Sequence, residues 1–297
     1  MSLIPGITSQ ATNDVGFVLF VVFGVLIAFN NLLVILVVVC SRKLRNSTKH
    51  ILVANLAFGD LLMGVFVCPM YADLTFRGEW IHPCNVLNSL GLAHISLIPS
   101  VTSLALFVIN MDYILGIGCF FYSCDTSRNV MAAILALLPW VLSSCVLIPL
   151  YILATVPSLA YIRNPCIRTL EGGPLETVFI LVCFIPQAVL IMITLIAAVS
   201  LYFVKRRSTG LDMSGERIRA PVDIVLASFA TILFYTPFFL LLATANKISC
   251  QSKSECSALY WIRVLSVWLL FVKSLMVPLC WLFCPNVRAG FRSKRCC

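Results

Sequence analysis

Seven stretches of this chain are long and apolar enough to cross a lipid bilayer: residues 15–40, 50–72, 85–117, 130–153, 176–204, 222–246 and 260–284. A helix that crosses the hydrocarbon core needs about 20 such residues. In lipid, every backbone donor and acceptor must be satisfied inside the protein, so only helices and closed barrels span. The apolar runs are continuous and do not alternate, which excludes a barrel. The expected fold class is an all-α membrane protein, a seven-transmembrane helix bundle with a short amphipathic helix 8. Composition agrees: 61% of the 297 residues are hydrophobic and 11% are charged, against about 25% charged in a soluble domain. The joining segments are short and leave no room for an extramembrane domain. The expected organisation is an extracellular N-terminus over 1–14, the bundle over 15–284, and a cytoplasmic helix 8 and tail over 285–297.

Lys and Arg set the orientation, because they collect on the cytoplasmic side. With the N-terminus outside, Arg77, Arg163, Arg168, Lys247, Lys253 and Arg263 face out. Lys273 lies within span 7, and the remainder of the 21 face in. The expected location is the plasma membrane, multi-pass, with the C-terminus cytoplasmic. The net charge of +9 follows from this bias and from attraction to anionic inner-leaflet lipids; no nucleic-acid partner is needed. Residues 286–295 read as a basic amphipathic helix on the inner membrane surface, with Val287 and Phe291 four apart. Cys296 and Cys297 follow it and are expected to be palmitoylated, the alternative being an unmodified terminus.

Most of the 14 cysteines lie inside spans, where Cys acts as a small hydrophobe. Four fall on the oxidising outer side: Cys84, Cys166, Cys250 and Cys256. Disulfides are expected there. Cys250 and Cys256 are close enough to staple their own loop, which leaves Cys84 with Cys166; the alternative is four free thiols. No His accompanies them, so no metal is expected.

Two formal charges, Asp60 and Lys273, sit deep inside apolar spans. An ionisable side chain near the bilayer centre costs about 2.5–3.5 kcal/mol on insertion scales and marks a functional site by default. Opposite charges from distant parts of the chain invite pairing.

Several motifs now identify a resemblance. Span 1 carries Asn30-Asn31-Leu32-Leu33-Val34, and span 2 carries Asn55-Leu56-Ala57-Phe58-Gly59-Asp60. Trp80 and Cys84 precede span 3, with Cys166 in the second outer loop. Trp140 and Pro149 lie in span 4, and Pro186 lies in span 5. In this order and on these sides, they resemble the rhodopsin-like G-protein-coupled receptors over nearly the whole chain. Cys84 and Cys166 resemble that family's disulfide partners. Three motifs depart from the family. The helix-3 Asp/Glu-Arg-Tyr is Asp112-Tyr113-Ile114 here. Cys-Trp-x-Pro is Phe234-Tyr235-Thr236-Pro237, and Asn-Pro-x-x-Tyr is Val277-Pro278-Leu279-Cys280-Trp281. The distance from Cys84 to Asp112 also exceeds the usual one by about a helical turn, with Pro99 between them. Either span 3 starts late or Cys84 sits in an extended loop. Within the family, Val277-Pro278, Arg77-Gly78-Glu79-Trp80 and Leu175-Glu176 resemble the bile acid receptor branch, which implies a lipid or sterol ligand.

The resemblance implies a sodium ion at the Asp60 position, within a buried switch of Asn31, Asp60, Lys273, Pro278 and Trp281. Lys273 is expected either to approach Asp60 and take the cation's place or to face the ligand cavity and bind an anionic headgroup. No other cofactor is expected. The pocket implied between spans 3, 5, 6 and 7 would be lined by His94, Ile98, Thr102, Tyr235, Phe238, Phe239, Leu242 and Trp268. Upper span 3 has no Asp or Glu, which argues against an aminergic ligand. Asp112 and Tyr113 would face the G protein, but without the arginine the usual charged link is missing. The leading function is a G-protein-coupled receptor that senses an extracellular or membrane-derived small molecule. Its expected partners are a heterotrimeric G protein, that ligand and membrane lipids. The alternative is a receptor-shaped binding-only, decoy or partner protein. An enzyme is not expected, because no metal-ligand cluster, Gly-x-Ser-x-Gly or paired intramembrane carboxylates occur.

Overall fold

A computed structural model of the chain describes residues 10–78, 81–115, 125–155, 185–208, 221–244, 253–281 and 287–288. Its elements are α1 (Gln10–Cys40), α2 (Arg42–Arg45), α3 (Thr48–Leu62), α4 (Cys68–Arg77), α5 (Cys84–Gly91), α6 (Ile98–Leu115), α7 (Asp125–Thr155), α8 (Ile185–Ser208), α9 (Val222–Thr244) and α10 (Lys253–Cys280). Wider π-helical turns, Met63–Val67 and Leu92–Leu97, join α3 to α4 and α5 to α6. Among the described residues, six spans are long and apolar enough to cross a bilayer: Asn13–Cys40, Thr48–Arg77, Ser89–Ile114, Val130–Pro149, Gln187–Val204 and Val222–Leu241. Within α10, Val264–Cys280 is a shorter apolar helix. Together they form a seven-helix bundle, and the chain is a multi-pass membrane protein. Large apolar side chains on α1, such as Val15, Val25 and Phe29, are more than half exposed, as lipid-facing residues should be.

Both π-helical turns are tied to a proline. Pro69 and Pro99 each stand two residues past the end of one. Proline lacks an N–H, and its ring collides with the carbonyl four residues back, here those of Val65 and Ile95. A widened turn moves that carbonyl aside, so the helix continues. This corrects both expectations for span 3. The helix neither starts late nor leaves Cys84 in a loop; it runs from Cys84 to Leu115. The widened turn absorbs part of the extra length. At the other end of span 2, Gly78 closes α4. Its φ of 72° is left-handed, a conformation glycine adopts without a Cβ clash, and its N–H donates to the Leu74 carbonyl at 2.9 Å.

Spans 1 and 2 touch backbone to backbone. A Cβ on Gly64 would lie 2.7 Å from the Ala28 nitrogen and 2.9 Å from the Gly24 carbonyl oxygen. A Cβ on Gly24 would lie 3.2 Å from the Gly64 carbonyl oxygen and 3.0 Å from Cys68 Cβ. Lipid gives helices no hydrophobic reason to associate, so close approach through small residues is what holds them. Elsewhere the core is apolar, with Leu52, Leu56, Leu106, Ile109, Ile224 and Trp281 in one cluster. Val287 is buried against Val37, Val38 and Leu44 at the α1–α2 corner. Phe291, Cys296 and Cys297 lie outside the described residues.

Gly64→Ala is expected to destabilise the protein by about 1–3 kcal/mol through overpacking, and Gly64→Leu to abolish surface expression. Gly91→Ala is expected to be silent, since a Cβ there meets nothing within 4 Å. Thermal melting in detergent and cell-surface immunostaining check this.

Candidate functional site

Leu270, Lys273, Ser274 and Val277 of α10, with Trp281 just past its end, fall at helical spacing on one face, and all are buried. The face is apolar except at its middle, where Lys273 and Ser274 meet α3. Lys273 Nζ donates to Asp60 Oδ1 at 2.7 Å and to Oδ2 at 3.0 Å. It also donates to Thr102 Oγ1 of α6 at 3.2 Å. Tyr235 of α9 is a further side-chain partner of the ammonium, so its three donors are shared among Asp60, Thr102 and Tyr235. The Tyr235 ring of α9 is centred 5.4 Å from Nζ. Ser274 Oγ donates to Asp60 Oδ1 at 2.8 Å. Asn31 of α1 donates to the Ser274 carbonyl at 3.0 Å and to that of Ile27 at 2.9 Å. Asp60 and Lys273 are both fully buried.

Five helices therefore converge on one ion pair. Each charge alone in this position would carry a desolvation cost of several kcal/mol. Together, with their remaining bonding capacity used by Ser274 and Thr102, they are compensated. Of the two roles the sequence leaves open for Lys273, this is the paired one. The arrangement does not fit a sodium ion at Asp60. Both carboxylate oxygens already accept from the ammonium, and a second cation beside Nζ would be repelled. Among the described residues no group of three or more His, Cys, Asp or Glu could hold a metal.

The expected ligand-lining residues separate into two groups. Tyr235, Phe238 and Phe239 pack with Ile95 and Leu270. Trp268 instead faces α1: its ring stacks on Phe20 at 4.5 Å and meets Phe23 at 5.4 Å. Ile98 belongs to that second cluster, with Ile27, Tyr71 and Phe271. His94 is buried there too. Its Nδ1 lies 3.2 Å from the Tyr71 hydroxyl, and its ring packs against Phe271 at 4.8 Å. Thr102 is engaged by Lys273. The Leu242 side chain lies outside what is described. Trp268 thus packs in a different cluster from Tyr235 and Phe238. At the opposite end, Pro278 is buried within α10, and Trp281 is 1% exposed. Asp112 and Tyr113 are half-buried at the end of α6.

Other polar links join the spans. Lys49 Nζ of α3 bonds Asp223 Oδ2 of α9 at 2.6 Å, near the end of the bundle that carries Asp112. Asn55 accepts from Trp140 Nε1 at 2.9 Å and donates to the Ala136 carbonyl at 2.9 Å. Ser100 accepts from Ser143 at 3.0 Å and from Gln187 at 2.7 Å. Sequence reading missed Ser274, Ser100, Gln187 and the Lys49–Asp223 pair. Ser274 was detectable as a polar neighbour of Lys273 on the same face. Asp223 was detectable as an acid beginning an apolar span. Cys166 and Cys250 lie outside the described residues. Cys84 and Cys256 are helical, with undescribed side chains.

Comparison with known proteins adds two findings. The family described as "7 transmembrane receptor (rhodopsin family)" matches over residues 30–281. The chain is also similar to the Alpha-1A adrenergic receptor of Oryzias latipes, 32% identical over 148 residues. That match takes in 48% of this chain and 29% of the receptor, so it spans under a third of the relative's length.

Asp60→Asn and Lys273→Met each strand a buried partner and are expected to cost about 3–5 kcal/mol. The double variant is expected to lose less than the sum of the two. Thermal melting of the four purified proteins checks this.

Proposed function

The chain belongs to the rhodopsin family of seven-transmembrane receptors, and from that premise we propose that it binds a small apolar, lipid- or sterol-like molecule and signals to a heterotrimeric G protein. The family is a receptor class and not an enzyme class. In this reading the N-terminus is extracellular, and the end bearing Lys49 and Asp223 is cytoplasmic, in line with the Lys and Arg bias.

The observation that carries the reading is the position of the Asp60–Lys273 pair. It adjoins the Tyr235–Phe238–Phe239 cluster on one side and the Trp281 core on the other. Thr102 and Tyr235 join both the pair and the proposed ligand cluster. A ligand seated on these aromatics acts on the ammonium directly, by drawing away Thr102 or Tyr235. Apolar lining with a few fixed polar groups suits a largely apolar molecule. At the cytoplasmic end, Lys49–Asp223 ties α3 to α9. Its release frees α9 to move and opens a surface for the G protein beside Asp112 and Tyr113.

A second reading, binding without coupling, is favoured by one observation: Tyr113 stands where the family carries arginine. A phenol can hydrogen-bond to a partner but supplies no positive charge. Disulfide pairing of Cys84 with Cys166 and Cys250 with Cys256, and acylation of Cys296 and Cys297, complete the proposal.

A lipid and sterol panel read by G-protein reporters tests it. The receptor reading expects a ligand-dependent response. It also expects Asp223→Asn, which keeps the side chain's shape and a hydrogen-bonding group, to raise basal signalling. Silence in the wild type, in Asp223→Asn and in Tyr113→Arg alike favours binding without coupling.

A further inference from the structure

Where span 2 hands over to span 3, three ionisable side chains meet that the receptor reading does not use. Asp73 lies one turn before the end of α4, Arg77 is the last residue of that helix, and His82 stands two residues before α5. Asp73 Oδ1 accepts from Arg77 Nε at 2.7 Å, an i,i+4 pair on one helix face. Asp73 Oδ2 lies 2.9 Å from His82 Nε2. Each carboxylate oxygen thus has its own partner, and the partners differ in kind. The Arg77 bond stays inside one helix, and a guanidinium keeps its charge at any physiological pH. The His82 bond runs from one span to the head of the next. Gly78, with its left-handed backbone, ends α4, and this bond returns the chain to that helix nine residues after Asp73.

The chain holds three histidines, and His82 is the one that water reaches. His50 and His94 are 5% and 1% exposed inside spans 2 and 3, whereas the His82 side chain is 36% exposed. An imidazole exchanges its proton between about pH 5 and 8. A neutral ring can donate to Asp73 only as the tautomer that carries its hydrogen on Nε2. A protonated ring carries hydrogen on both nitrogens, so it always donates, and its charge strengthens the bond. The surrounding charges set the sign. Asp73 attracts the imidazolium in direct contact, and Arg77 opposes it from the other carboxylate oxygen. On α1, which packs along α4, the one charged residue is the exposed Asp14, and α5 carries none. Glu79 of the same loop lies outside the described residues. We propose that Asp73, Arg77 and His82 form a proton-operated strap: a proton taken up by His82 fastens the segment 78–84 to α4 and fixes the head of span 3 against span 2. The fastened helix is the one that carries Thr102 to Lys273. With the N-terminus outside, a placement that rests on the reading above, the acidity of the extracellular medium sets the strap.

The test is hydrogen–deuterium exchange of the full chain in phosphatidylcholine nanodiscs, at about pH 6 and about pH 8, with rates corrected for the pH dependence of chemical exchange. Both faces of a nanodisc are open to buffer, so the result depends neither on which end is extracellular nor on signalling. The Gly78 and Val86 amides, bonded to the Leu74 and Pro83 carbonyls, lie in the strapped segment and report on it. Their peptides are expected to be about twofold to fivefold better protected at the lower pH, the range of a part-exposed ion pair. Peptides within residues 98–110 should show no such change. His82→Gln keeps a hydrogen-bonding side chain that does not titrate, and Asp73→Asn keeps the shape without the charge; each should make protection of the segment independent of pH. Equal protection of the wild-type segment at both pH values would overturn the proposal. So would a pH response that persists in His82→Gln or in Asp73→Asn, or one of equal size within residues 98–110.

Discussion

The contact between Lys273 and Asp60 sets the register of the bundle. Neither charge can remain in lipid unpartnered, so α3 and α10 are constrained to bring them together. Once they meet at 2.7 Å, the remaining bonding capacity draws in neighbours. Thr102 ties in α6, and Ser274 adds a second bond from α10. Asn31 then ties α1 to the Ser274 carbonyl. The apolar faces above and below supply contact area, but van der Waals contacts alone allow many rotations. The charges choose among them.

The crossing of spans 1 and 2 serves the same centre. Gly64 lies one turn beyond Asp60 on α3's continuation, and Ala28 lies nearly one turn before Asn31 on α1. Backbone contact between Gly64 and Ala28 therefore places Asn31 at the depth of Asp60. That depth is what lets Asn31 reach α10. The same small residues leave an open groove between α1 and α4, with Asp73 in its lining. One stretch of tight packing thus helps to position the ion pair and shapes a surface facing lipid.

The spans were legible because hydropathy needs no partner to be read: twenty apolar residues must become a helix in lipid whatever surrounds them. Asp60 and Lys273 were legible as a problem for the same reason, since their cost is intrinsic. What each helix faces was harder. Trp268 and Lys273 are five residues apart, which is about 140° around a helix at 3.6 residues per turn. The structure turns Trp268 toward Phe20 and Lys273 toward Asp60. That separation could have been deduced from spacing alone. The Lys49–Asp223 bond could not, because Lys49 reads equally well as one more cytoplasmic cation. The π-helical turns were visible only as prolines; whether such a proline breaks, kinks or widens a helix depends on neighbours that the sequence does not rank.

The central claim is that an ammonium from the chain itself occupies the place of a diffusible cation at Asp60. The most direct measurement is the melting temperature of the purified wild-type protein in sodium chloride and in choline chloride at equal ionic strength. The account predicts the same melting temperature in both salts, because both carboxylate oxygens are already engaged by Lys273. A saturable rise in melting temperature specific to sodium would contradict it.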